Sequence, residues 1–155
     1  MTVNEFWQAF LTARDMDGPL ECPESFYFCA SEEPANALLA LVLSGQKRAT
    51  TSSLPAYECD GEELPWVGDY SVVTDWDGNP HCVIETTAVT ILPFNEVTFD
   101  ICKREGEDDT LESWQEGHRR FFTEEGNQIG YIFTETMPVV FEDFKVVFTD
   151  KEIVT

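Results

Sequence analysis

Residues 81–92, HCVIETTAVTIL, leave this chain the least freedom. Cys82, Ile84, Thr86 and Ala88 alternate with Val83, Glu85, Thr87 and Val89, and both series are mostly apolar or Thr. Such a run reads as a strand covered on both faces, so material must pack on each side of the sheet that holds it. Asp77-Gly78-Asn79 just before it is a hairpin-turn signal leading back to a second strand at 70–74. Apolar patterning predicts two further strands at 129–134 and 139–148.

Helices are predicted before and between these strands. Over residues 2–15, Phe6, Trp7, Phe10 and Leu11 recur on one helix face, and Thr2 and Glu5 stand at capping-box spacing. Asp17-Gly18-Pro19 reads as its stop, with a linker running on to Pro23. A second helix is predicted over 34–44, capped by Ser31, with Leu38, Leu41 and Val42 inward and Gly45 as its end. A third, over 110–122, carries a stripe of Leu111, Trp114, His118, Phe121 and Phe122, with Asp109 and Glu112 fitting a capping-box-like start. Short strands, one clear hairpin and interposed helices define the α+β class and suggest a small β-barrel with flanking helices over its openings.

Composition sets the outer limits. At 155 residues and 43% apolar the chain suits one globular domain, and a fold of this size buries roughly 68–70% of its extended surface. No stretch approaches the ~20 apolar residues of a membrane span. The opening MTVNEFWQAF lacks the basic and apolar regions of a secretory signal, so a cytoplasmic location is expected. The five cysteines, Cys22, Cys29, Cys59, Cys82 and Cys102, form no C-x-x-C pair and read as cytosolic thiols, mostly buried. Neither His81 nor His118 lies in a motif that would tie it to one of them as a nucleophile. With 30 Asp and Glu against 9 Lys and Arg the formal charge is −21, which repels long nucleic-acid backbones. Only a local cationic pocket, effective within a Debye length of ~8 Å, would admit a nucleoside or a short strand.

Two segments carry candidate chemistry. In Ser44-Gly45-Gln46-Lys47-Arg48-Ala49-Thr50-Thr51-Ser52-Ser53, a lysine and a threonine stand three apart. Lysine can serve as base for a threonine hydroxyl, and the two meet only if the chain bends there, which Gly45 makes feasible. The plainer reading is that Lys47 caps the preceding helix and Thr50 is a β-former. In Glu105-Gly106-Glu107-Asp108-Asp109, four carboxylates read as a solvated helix start, a catalytic carboxylate or a weak cation site. Neither the calcium-loop spacing nor a histidine accompanies them. Trp66, between Pro65 and Val67-Gly68, is either a base-stacking ring or a lid over the core. Glu85 faces either outward or into a cavity, and His118 reads as a satisfied core histidine.

Taken together these pieces resemble the ASCH (activating signal cointegrator homology) domain family, whose barrel is similar to the PUA RNA-binding fold. The resemblance rests on Gly45-x-Lys47-x-x-Thr50, on Val67-Gly68-Asp69-Tyr70-Ser71-Val72-Val73, and on Ile84-Glu85-Thr86-Thr87-x-Val89. Glu105-Gly106-Glu107-Asp108 followed by Trp114-x-x-x-His118-x-x-Phe121-Phe122 completes it. It implies a PUA-like domain over 26–150, with 1–25 as an N-terminal helix and linker packed on it. For function it implies RNA binding, ribonuclease activity or hydrolysis of acylated cytidine. In the amidohydrolase members a lysine, a threonine three residues on and a glutamate before the next helix act together. These fall on Lys47, Thr50 and Glu107, with Glu105 as the alternate glutamate. An arginine two residues after that threonine is replaced here by Ser52. The expected function is hydrolysis of the amide of an acylated nucleoside such as N4-acetylcytidine, with Arg48, Ser52, Trp66 and Glu105 as substrate contacts. The alternative is a non-catalytic nucleoside or single-stranded RNA-binding module, and a metal-dependent nuclease comes third. The first two readings call for no cofactor and no metal.

Overall fold

A computed structural model of the protein describes residues 1–16, 21–28 and 32–153. Helix α1, Val3–Ala13, begins with the expected capping box: the Thr2 hydroxyl accepts from the Glu5 N–H at 3.1 Å and the Glu5 carboxylate accepts from the Thr2 N–H at 3.4 Å. The expected stop at Asp17-Gly18-Pro19, the Ser31 cap and Cys29 lie outside the described residues. Helix α2, Glu32–Ser44, buries Ala35, Leu39 and Val42, while Leu38 and Leu41 are only half-buried. Gly45 ends it at φ +84°, a backbone conformation that favours glycine.

Five strands follow the order β1-β3-β4-β5-β2. They are β1, Ser25–Phe26; β2, Ala49–Ser53; β3, Tyr70–Thr74; β4, Pro80–Pro93; and β5, Pro138–Thr149. β1 runs parallel to β3, β3 and β4 form the expected antiparallel hairpin around Gly78, and β2 pairs antiparallel with β5 from Ala49↔Asp143 to Ser53↔Val139. β1 and β2 end this order, so among the described residues the five strands are not closed into the expected barrel. The strand expected at 129–134 does not form. Helix α5, Leu111–Ile129, continues to that point and is closed by Gly130 at φ +105°. The N–H groups of Gly130 and Tyr131 both donate to the Gly126 carbonyl, at 2.9 and 3.1 Å. That turns the chain back along its own helix, where Phe133 packs on Phe94 and Phe122, instead of sending it into the sheet. α5 is capped by Thr110 and not by Asp109, and Phe121 is 51% exposed instead of joining the buried stripe.

The chain divides into two compact units. In the first, residues 1–46, 68–86 and 144–155, α1 packs Phe6, Trp7, Phe10 and Leu11 against Val72, Val83 and Phe148. Burying each side chain of this size contributes about 1.5–3 kcal/mol. A second cluster there joins Leu39 and Val42 of α2 to Val73, Cys82, Ile84 and Phe144. The second unit, residues 47–67 and 87–143, has its own core of Phe94, Val97, Cys102, Trp114, Phe122, Met137 and Val139. It also contains helices α3, Leu54–Asp60, and α4, Phe99–Cys102, and a 3-10 turn, Lys103–Glu105. Among the described residues no helix is long and apolar enough to cross a membrane.

Candidate active site

The second unit holds the first of the segments singled out in the sequence from Lys47 onward, and the whole of the second. After Gly45 the chain enters β2 with alternating burial: Lys47, Ala49, Thr51 and Ser53 are buried, whereas Arg48 is exposed and Thr50 and Ser52 are half-buried. Alternation places Thr51 and Ser53 on one face of the strand and Thr50 and Ser52 on the other. Because β2 ends the strand order, one of its edges has no strand partner among the described residues. Two contacts hold the start of the strand. The Lys47 ammonium donates to the Ala49 carbonyl at 2.9 Å, and the Arg48 N–H donates to the Arg104 carbonyl at 3.0 Å. Arg104 is itself fixed by Asp143 of β5 at 2.8 Å and lies over the Phe141 ring, so the Lys103–Glu105 turn is clamped against β2.

That clamp brings the two distant segments together. Lys47 Nζ lies 2.7 Å from Glu107 Oε2 and 3.7 Å from Glu105 Oε1, with its side chain 1% exposed. Glu105 is buried too, and its Oε2 collects donors: the Thr51 hydroxyl at 3.0 Å and the Trp114 indole N–H. His118 Nε2 approaches the same oxygen at 3.5 Å. Trp114 and His118 stand four apart on α5, with rings stacked at 4.2 Å, and His118 Nδ1 lies 2.9 Å from the Trp114 carbonyl. Seven residues beyond His118 on that helix, Glu125 accepts from the hydroxyls of Ser53 at 2.8 Å and Tyr131 at 2.7 Å.

Burial alone would push the Glu105 carboxyl up. The hydrogen bond and charge of His118, the Lys47 charge and the Trp114 N–H outweigh it and hold Glu105 below the usual carboxylate range. Burial pulls the His118 imidazole down, yet Glu105, the Trp114 carbonyl and Glu107 hold it above the usual histidine value. The result is a carboxylate–imidazole pair beside the lysine in which each partner favours the charged form of the other. The two buried thiols are far from such activation: burial lifts Cys82 to about 12 and Cys102 to about 11, so both stay protonated.

Of the residues expected from sequence, the structure joins Lys47, Glu105 and Glu107. Thr50 starts from the opposite face of β2, and Thr51 is the threonine that reaches the carboxylates. Arg48 is exposed, Ser52 hydrogen-bonds Tyr57 of α3, and Trp66 is 69% exposed. Glu85, in the first unit, pairs with Lys145 at 3.4 Å. Sequence reasoning missed Thr51, Trp114 and His118 as partners of Glu105. The available signal was a Trp and a His four apart on one helix face just after an acidic turn. Among the described residues no group of three or more His, Cys, Asp or Glu is placed to hold a metal ion.

An α+β chain with a buried lysine between two glutamates, drawn from a strand entry and an acidic turn, is the class these observations define. The family model for the ASCH domain matches residues 24–148, and the chain belongs to the ASCH domain family. The crystal structure of protein EF3133 from Enterococcus faecalis V583 is similar at 39% identity and a TM-score of 0.87, covering 94% of this chain and 87% of that one. The crystal structure of an ASCH domain from Lactobacillus crispatus JV V101 is similar at 38% identity and a TM-score of 0.83, covering 93% and 92%. No curated protein matches the chain. Membership attaches the expectation of RNA-binding or hydrolase-like function at the level of the family.

Proposed function

We propose that the protein is a hydrolase acting on the amide bond of an acylated nucleoside such as N4-acetylcytidine. The observation that carries this reading is the near-complete burial of Lys47 within 2.7 Å of Glu107 Oε2. A lysine acts as base only after shedding a proton, and Glu107, with its side chain 30% exposed, is an acceptor in hydrogen-bond reach. Lys47 then takes the Thr50 proton, and Thr50 Oγ attacks the acyl carbonyl. The ammonium so formed protonates the departing exocyclic amine, and water releases the acid from the threonyl ester. Thr50 is the nucleophile favoured here for two reasons. The Lys47 ammonium sits on the Ala49 carbonyl, which belongs to the peptide that joins Ala49 to Thr50, in the strand that ends the order. Thr51, by contrast, already donates its proton to Glu105. Arg48, Ser52 and Trp66 are proposed as substrate contacts on the exposed side. Incubation with a panel of acylated nucleosides should release the free acid.

The second reading, a non-catalytic module for a nucleoside or short single-stranded RNA, is favoured by one observation: Thr50 and the Glu105 carboxylate belong to opposite faces of β2. Binding of the panel without acid release is the outcome that selects it.

A further inference from the structure

His118 takes no part in the mechanism above, yet its surroundings are built for a cation. Nδ1 faces the Trp114 carbonyl at 2.9 Å and Nε2 faces Glu105 Oε2 at 3.5 Å. Both partners only accept, and an imidazole between two acceptors is satisfied on both nitrogens only when both are protonated. The Trp114 ring stacked on it at 4.2 Å also suits a cation. From its own helix His118 meets the uncharged rings of Trp114 and Phe122. The neighbouring Arg119 is engaged by Glu135 at 2.7 Å. From the 3-10 turn it meets Glu105, and the charge of Glu107 acts on it from beyond that turn; the Thr51 hydroxyl shares Glu105 Oε2 with it, and Lys47 faces the other oxygen, Oε1.

With His118 protonated, two cations and two anions share one site: Lys47 and His118 with Glu105 and Glu107. We propose that His118 is a positioning residue that offsets the Glu105 charge and so leaves Lys47 able to hand its proton to Glu107. Without that offset Lys47 would be a single cation between two carboxylates and would give up its proton less readily. The inference rests on the base role proposed for Lys47, and its first test does not depend on turnover.

Coupling of this kind is reciprocal: if the His118 charge disfavours the Lys47 charge, removing the Lys47 charge must strengthen His118's hold on its proton. NMR titration of the His118 imidazole in the full chain should show its midpoint moving to higher pH in Lys47→Met, by roughly half a unit or more. An unchanged or lower midpoint overturns the proposal. The second test uses kcat/KM for an acylated cytidine in His118→Gln, which keeps a donor near Glu105 but no charge. A deficit is expected at pH values where the wild-type imidazole is charged, closing above the pH at which it titrates. A deficit of the same fold at every pH marks a merely structural role and also overturns the proposal. Should the variants not fold, the wild-type chain decides: log kcat/KM should flatten across the His118 midpoint, and an unbroken slope there refutes the coupling. A shifted midpoint without hydrolysis of any panel member would sink the hydrolase reading and leave the coupling standing.

Discussion

At the scale of single residues, the open choice lies between two adjacent threonines, and their surroundings predict different losses. Thr50→Val keeps the β-branched shape at a half-buried position, so the protein should fold as the wild type does and lose acid release. Thr51→Val removes a donor from a buried carboxylate and should cost about 1–3 kcal/mol in denaturant unfolding while retaining turnover. The opposite assignment of the activity loss would move the nucleophile to Thr51. The Glu105–His118 pair also fixes a pH dependence of stability. Glu105 is held below its ordinary 4.5, so its contribution is fully present above that value and is lost as pH falls through the depressed one. His118 is held above its ordinary 6.5, so its contribution is fully present below 6.5 and is lost as pH rises through the raised value. Both are complete between 4.5 and 6.5. The stability difference between wild type and His118→Gln, read by urea titration, should be greatest in that window and shrink as the solution is made alkaline.

At the scale of elements, α5 joins the site and also accounts for the one strand that failed to appear. A Cβ on Gly126 would run into the Tyr131 carbonyl, because the chain folds back closely along the helix there, whereas one on Gly117 would meet open space. Gly126→Ala should therefore destabilise by roughly 1–3 kcal/mol. Gly117→Ala, in the same helix, should stabilise by about 0.5–1 kcal/mol, since alanine loses less backbone freedom on folding. Thermal unfolding of the two variants checks the opposite signs. This geometry also shows why the sequence was only partly legible. α1, the 70–93 hairpin and the body of β5 could be read because their periodicity and turn chemistry are local. The Ile129-Gly130-Tyr131-Ile132-Phe133 run has strand-like composition, but its fate depends on Gly130 and on a docking surface formed by Phe94 and Phe122, which no local pattern reveals. β2 was hard to recognise because Ala-Thr-Thr-Ser-Ser is too polar to announce a strand. Its buried hydroxyls are instead satisfied by Glu105 and Glu125, far along the chain. Lys47 and the 105–107 carboxylates could be proposed as partners through a family resemblance, while the role of Trp114 and His118 needed the turn to be seen in place.

At the scale of the whole molecule, charge governs which partners can approach. The formal −21 is only part of the argument, because a local cationic patch could still attract phosphate. Six of the nine Lys and Arg side chains already lie within ion-pair distance of carboxylates: Arg14 with Glu152, Lys47 with Glu105 and Glu107, Lys103 with Asp100, Arg104 with Asp143, Arg119 with Glu135 and Lys145 with Glu85. Each such cation would have to exchange a fixed carboxylate for a phosphate, which returns little of the counterion-release free energy that drives backbone binding. Any RNA affinity should then come from one or two bases held by stacking and hydrogen bonds. Fluorescence anisotropy with labelled oligonucleotides should show weak binding that stops increasing after a few single-stranded nucleotides. Its salt dependence should be shallow, with a log–log slope of about −1 or less in magnitude, as for at most one or two phosphate contacts. An acylated cytidine, uncharged at its reacting end, should meanwhile be turned over at a rate nearly independent of ionic strength. Tight binding to duplex RNA that grows with length and falls steeply with salt would require a cationic surface that these pairings do not supply, and would refute the small-ligand reading.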